Sequence, residues 1–191
     1  MKQLLSVFVL LSALIPLAAA PVKMPAEWFA KKVSPQLVNA EGKKVSSAVL
    51  KGKMVAFYFS AHWCGPCRSF TPQLVKFYKR VSKKHNFEIV FISSDKNIKA
   101  MHDYMKSAGM PWLAMPFKSP AANALSKELG VRGIPTLVVF DQNGRIIDTN
   151  GRNTVSKYGS RAIEIWKKAK PVKKSPAPED KTGKPDKKGK K

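Results

Sequence analysis

The sequence predicts an α/β domain built on a mixed central sheet with helices on both faces. Three observations carry that expectation. Apolar runs rich in β-formers at 53–60, 87–93 and 134–140 have the length of buried strands. Apolar residues recur at helical spacing between them. After the last run, Asp141-Gln142-Asn143-Gly144 supplies a turn. Strand–helix–strand units followed by a hairpin and a helix belong to a sheet covered on both sides.

The elements follow in chain order. Lys53–Ser60, "KMVAFYFS", is the first buried strand. Residues 65–84 then place Phe70, Leu74, Phe77, Tyr78 and Val81 along one face of a helix. Phe87–Ser93, "FEIVFIS", is the second strand, and a helical stretch follows near Ile98–Lys106. Ala121–Leu129 is helical and stops at Gly130. Ile134–Phe140, "IPTLVVF", is the third strand, and Arg145–Thr149 is its hairpin partner. A last helix is expected over Val155–Lys168. Parallel neighbours need a crossover, which the helix at 65–84 provides.

The two ends read differently from this body. After Met1-Lys2-Gln3, Leu4–Leu17 is an apolar run broken only by Ser6, Ser12 and Pro16, and Ala18-Ala19-Ala20 follows. That is the pattern of an export signal over residues 1–20, with an uncleaved anchor over 4–20 as its rival. The expected location is therefore exported: periplasmic in a Gram-negative source, otherwise secreted or membrane-anchored. Residues 21–170 form the expected single domain. Pro171–Lys191 holds eight Lys against Glu179, Asp180 and Asp186 and no aromatic residue, so it reads as a disordered tail. The whole chain has 35 Lys+Arg against 12 Asp+Glu, a net +23. Weak contact with polyanions or anionic membranes is expected through this tail.

The only two cysteines, Cys64 and Cys67, lie in "AHWCGPCRSF", with Gly65 and Pro66 between them. Haem attachment would need His after the second Cys, and Arg68 stands there. A structural zinc site would need four ligands, and His62, His85 and His102 form no spaced pair beside Cys64. A static bridge across two residues closes almost no loop, so it would stabilise little. Redox exchange is what this spacing serves well, with no cofactor or metal.

The pair falls where a strand ends and a helix begins. Unpaired N–H groups and the dipole at that helix start favour a Cys64 thiolate. Cys64 is then the attacking thiol, and Cys67, one turn deeper, resolves the mixed disulfide. Pro66 suits the first helical turn, Gly65 lets a substrate backbone approach, and His62, when protonated, and Arg68 would favour the thiolate.

"WCGPC" after "VAFYFSA", with "GIPTLVVF" further on, resembles the thioredoxin superfamily. "FYFSAHWCGPCRSFTPQL", "MPWLAMPF" and "VRGIPTLVVFD" are more narrowly similar to tryparedoxins and nucleoredoxin, over about residues 33–168. The resemblance implies a thioredoxin-like fold and a dithiol–disulfide oxidoreductase acting on protein disulfides. It implies a cis Ile134-Pro135 bond facing the cysteines, and Trp63 as a shielding aromatic at the rim. Gly65 departs from the Pro usual in that branch. Tyr58 stands where many thioredoxins carry a buried Asp, so proton transfer would need another group. Glu88 on a neighbouring strand is the acidic candidate, although a solvent-facing Glu is the simpler expectation. Trp112 and Phe117 are expected to pack the sheet or the rim of the site.

By resemblance, Gly-Pro between the cysteines is the thioredoxin pairing, at the reducing end of the range. The expected activity is therefore reduction of disulfides in exported proteins by a monomer, fed by an unidentified electron donor for which a membrane-bound protein is one candidate. A disulfide oxidase or isomerase is the first alternative. A non-catalytic polyanion-binding or scaffold protein with a thioredoxin-like body is the second.

Overall fold

The computed structural model describes residues 32–172. The export signal read at 1–20, and the tail beyond residue 172, lie outside the described residues. Strand β1 (Gln36–Val38) and β2 (Lys44–Ser46) form a small hairpin, followed by a 3-10 turn over Ser47–Leu50. Then come β3 (Met54–Ser60), α1 (Gly65–His85), β4 (Phe87–Ser93) and α2 (Ile98–Ser107). The chain continues through β5 (Leu113–Ala114), α3 (Pro120–Glu128), β6 (Thr136–Phe140) and β7 (Ile146–Asp148). It closes with α4 (Gly151–Tyr158), a 3-10 turn and α5 (Ala162–Lys168). Among the described residues no helix is long and apolar enough to cross a membrane.

The strands form one mixed sheet in the order β2-β1-β5-β4-β3-β6-β7. β3 runs parallel to β4 and antiparallel to β6. Every residue of β3 is buried, which is why its sequence is a continuous apolar run instead of an alternating one. Alternation reappears in three dimensions. Ala56 and Tyr58 join a core with Phe70, Leu74 and Phe77 of α1 and with Trp166 of α5. Val55, Phe57 and Phe59 face a second core with Leu125 of α3 and Leu37 of β1. The sheet is thus covered on both faces, as expected.

Four local expectations need correction. The short strands β1, β2 and β5 were not foreseen, because two- and three-residue strands carry too few positions for an alternating pattern. The third strand starts at Thr136 instead of Ile134, since Pro135 has no N–H to give to a ladder. The single helix read over Val155–Lys168 begins earlier, at Gly151, and is interrupted at Gly159, whose φ of 54° leaves the helical region. Glu88 is not solvent-facing: it is buried, takes an ion pair from Lys53 at 3.1 Å and accepts from Tyr78 Oη at 2.7 Å. Beyond the domain's last helix, the Val172 N–H donates to the Ile146 carbonyl on β7 at 2.8 Å.

Candidate active site

Sheet register gathers the site along the edge formed by the C-terminal ends of the inner strands β3 and β4. Ser60 pairs with Ser93 at the ends of the parallel strands, so the segments 61–64 and 94–95 emerge side by side. Antiparallel β6 begins opposite Phe59, which brings Ile134-Pro135 to the same edge. The Ile134-Pro135 bond is cis. Cys64 Sγ lies 3.6 Å from the Ile134 carbonyl oxygen.

Cys64 is the N-cap of α1, extended at φ −83°, ψ 111°, with Pro66 in the first turn. The Cys67 N–H donates to Cys64 Sγ at 3.2 Å. One of the free donors of the helix start therefore points at this sulfur, which stabilises it as an anion whenever the bridge is open. Cys64 and Cys67 are joined as a disulfide, with Cα atoms 5.2 Å apart. Cys64 is 7% exposed and Cys67 is 0% exposed, so only the first can meet a partner.

The surface around the pair is open. Gly65 and Pro66 are exposed, and a Cβ at Gly65 would meet no atom within 4 Å. Trp63 is 56% exposed and held by its indole N–H, which donates to the Ser94 carbonyl at 3.0 Å. His62 is exposed; its backbone N–H donates to Asp95 Oδ1 at 2.8 Å and its carbonyl accepts from Arg68 Nη1 at 2.6 Å. Trp112 is fully packed, 5.5 Å from the Tyr78 ring and 6.3 Å from the Tyr58 ring. Phe117 is half-buried and lines a cavity of about 570 Å³ near β1 and α2, together with His102.

Sequence reasoning missed two groups. Asp95 is buried and accepts from the His62 backbone and from Ser93 Oγ at 2.8 Å, so it clamps the loop that leads into Cys64. Its only signal was a polar Ser-Ser-Asp cluster at a strand end. The second group lies beneath Cys67. Thr71 Oγ1 donates to the Cys67 carbonyl at 2.9 Å and lies 2.8 Å from Tyr58 Oη and 2.6 Å from Tyr104 Oη. Ser60 Oγ is 3.3 Å from Tyr104 Oη. Because the carbonyl can only accept, the single Thr71 proton points at it and both tyrosines donate to Thr71. Thr71 was readable as a hydroxyl four residues after Cys67, on the same helical face.

This network is neutral. Burial pushes the Tyr58 phenol well above the usual tyrosine range. The position six residues before Cys64 thus holds an uncharged donor. Glu88 does not substitute for a carboxylate there: it pairs with Val55, five residues before Ser60, about 17 Å along the strand at about 3.3 Å per residue.

A family model described as thioredoxin-like matches residues 52–146. A tryparedoxin of Trypanosoma brucei brucei is 46% identical over 132 residues, covering 68% of this chain and 90% of that protein. Human nucleoredoxin is 39% identical over 126 residues, covering 65% of this chain. The chain spans only 22–32% of the length of the plant and human nucleoredoxins it matches. A solved tryparedoxin from Trypanosoma brucei superposes with a TM-score of 0.65 at 41% identity, over 72% of this chain and 96% of that one. With the sheet order, the cysteine pair at the helix start and these likenesses in agreement, the chain belongs to the thioredoxin-like oxidoreductase family, in the branch of tryparedoxins and nucleoredoxins.

Proposed function

We propose that this chain is a protein-disulfide reductase that acts on exported proteins. The observation that carries the reading is the asymmetry of the pair. Cys64 keeps a small exposed edge and has an N–H aimed at its sulfur, whereas Cys67 is sealed one turn deeper. In the reduced form the Cys64 thiolate attacks one sulfur of a partner disulfide, forming a mixed disulfide and expelling the partner's first thiolate. Cys67, once deprotonated, attacks Cys64 Sγ, forms the intramolecular bridge and expels the second thiolate. Two electrons pass to the partner. A dithiol donor, or two thiol molecules in succession, restores the pair by the same exchange in reverse, leaving as a disulfide.

A solved tryparedoxin II, 38% identical with a TM-score of 0.65, is complexed with glutathionylspermidine, which favours a low-molecular-mass thiol as the donor class. The Leu4–Leu17 run and the alanines after it support export; N-terminal sequencing of the mature protein should start near Ala20 or Pro21, and a soluble cytosolic chain retaining Met1 would refute that part. The direction is tested by the reduction potential. A value near −270 mV marks a reductase, whereas one near −120 mV marks an oxidase and overturns the reading (both approximate). Alkylation of the reduced chain at mildly acid pH should label Cys64 first. Labelling of Cys67 first would reverse the assigned roles.

A further inference from the structure

We infer that the outer face of α1 is a docking ridge for acidic segments of protein substrates, and that it selects which disulfides reach Cys64. This rests on the reductase reading and names the substrate class of that same site. Every charged residue of α1 is basic: Arg68, Lys76, Lys79, Arg80, Lys83 and Lys84. All six are exposed; Arg68 stands beside the cysteine pair, and after an uncharged stretch over 69–75 the other five follow the helical repeat from Lys76 to Lys84. At about 1.5 Å per residue the ridge runs about 24 Å from Arg68 to Lys84.

The ridge is not neutralised by its surroundings. Among the described residues no ion pair engages Lys76, Lys79, Arg80, Lys83 or Lys84. The domain's acids are held elsewhere, Glu88 by Lys53, Asp141 by Arg145 and Asp103 by Lys99. Helices α4 and α5 cover the same side of the sheet and add Lys157 and Lys168. Their one acid, Glu164, is already paired with Lys167 and lies beside His85.

Lys83 and Lys84 suit the negative end of the helix dipole, but the spacing of the cations works against the helix. Lys76 and Arg80, Lys79 and Lys83, and Arg80 and Lys84 are like charges four residues apart, each pair destabilising. Arg68 adds a cation at the positive end of the dipole. A face kept only for solubility would be equally well served by mixed charge. An acidic segment laid along the ridge removes the repulsion, and its bridge is then delivered at the end where Cys64 lies. A protein segment is favoured over nucleic acid because the ridge presents no exposed aromatic platform between its cations, and the residue at its head is a disulfide.

The test compares two fluorogenic disulfide-bridged peptides, identical except for Glu-rich or Lys-rich flanks, with the full chain as enzyme. The acidic-flanked peptide should have a kcat/KM about ten-fold or more above the basic one, carried by KM, with the gap closing as salt is raised. In the triple variant Lys76→Glu, Arg80→Glu, Lys83→Glu the order should invert. The charge-matched variant Lys43→Glu, Lys51→Glu, Lys127→Glu, placed off the ridge, should keep the preference. Equal kcat/KM for the two peptides, or a preference that survives the ridge variant, would overturn the inference. So would single-stranded RNA or anionic vesicles displacing a labelled Glu-rich peptide from the ridge at sub-stoichiometric amounts. Failure to reduce either peptide would sink the reductase reading instead. In that event anisotropy of the labelled Glu-rich peptide decides the ridge separately: salt-sensitive binding lost in the ridge variant upholds it, and no binding overturns it.

Discussion

Replacing Thr71 by Val keeps the shape of the side chain and deletes one hydroxyl, and the structure sets what that deletion does. Thr71 Oγ1 accepts from Tyr58 and Tyr104 and donates to the Cys67 carbonyl. The carbonyl loses one of its donors and keeps its place in the helix. The tyrosines are left with a single replacement acceptor, Ser60 Oγ, already 3.3 Å from Tyr104. One phenol is therefore stranded in a buried site, at a cost of about 1–3 kcal/mol. Tyr58→Phe removes a donor without stranding anything and should cost only about 0.5–1.5 kcal/mol. Combining the two should therefore repair most of the Thr71→Val defect, leaving the double variant about as stable as Tyr58→Phe alone. Denaturant unfolding of the oxidised protein measures all three, and the coupling should be as large as the Thr71→Val loss itself, about 1–3 kcal/mol. Strictly additive losses, or a Thr71→Val variant within about 0.5 kcal/mol of the parent, would refute the assigned proton directions.

Three further outcomes are expected. Burial, and the adjacent Glu88, hold the Tyr78 phenol above its ordinary value, so the folded state keeps a proton that the unfolded chain loses. That contribution is complete below about pH 10 and is lost as pH rises beyond it, so Tyr78→Phe should flatten the alkaline fall in unfolding midpoint; an unchanged fall would count against it. A Cβ at Gly151 would lie 2.9 Å from the Leu137 carbonyl oxygen and 2.9 Å from Val139 Cγ2, so Gly151→Ala should cost roughly 1–3 kcal/mol, while Gly65→Ala should be nearly neutral; equal stabilities would contradict the packing. Asp95→Ala strips the acceptor from the His62 N–H and from Ser93 Oγ, and should cost roughly 1–3 kcal/mol and slow disulfide reduction; an unaltered rate would show that the clamp does not position Cys64.

The sequence by itself determined the long elements and the reacting pair. Strands β3, β4 and β6 announce themselves because both faces are buried, and α1 because its apolar face repeats over 21 residues. The chemistry of Cys64 and Cys67 was legible because it is local: a cap, a first turn and one N–H lie within four residues. The tertiary structure alone decided what assembles around them. Asp95 meets His62 across 33 positions, and Thr71 meets Tyr104 across 33 more, through strand registers that no periodicity encodes. Glu88 looked solvent-facing because a single acidic residue in a strand carries no mark of the lysine that will cover it. Short strands such as β5 exist only because a neighbour pairs with them, a property of the sheet and not of the two residues involved. Local propensity and periodicity are written along the chain, whereas hydrogen-bond partners and burial of single polar groups depend on where the rest of the chain comes to lie.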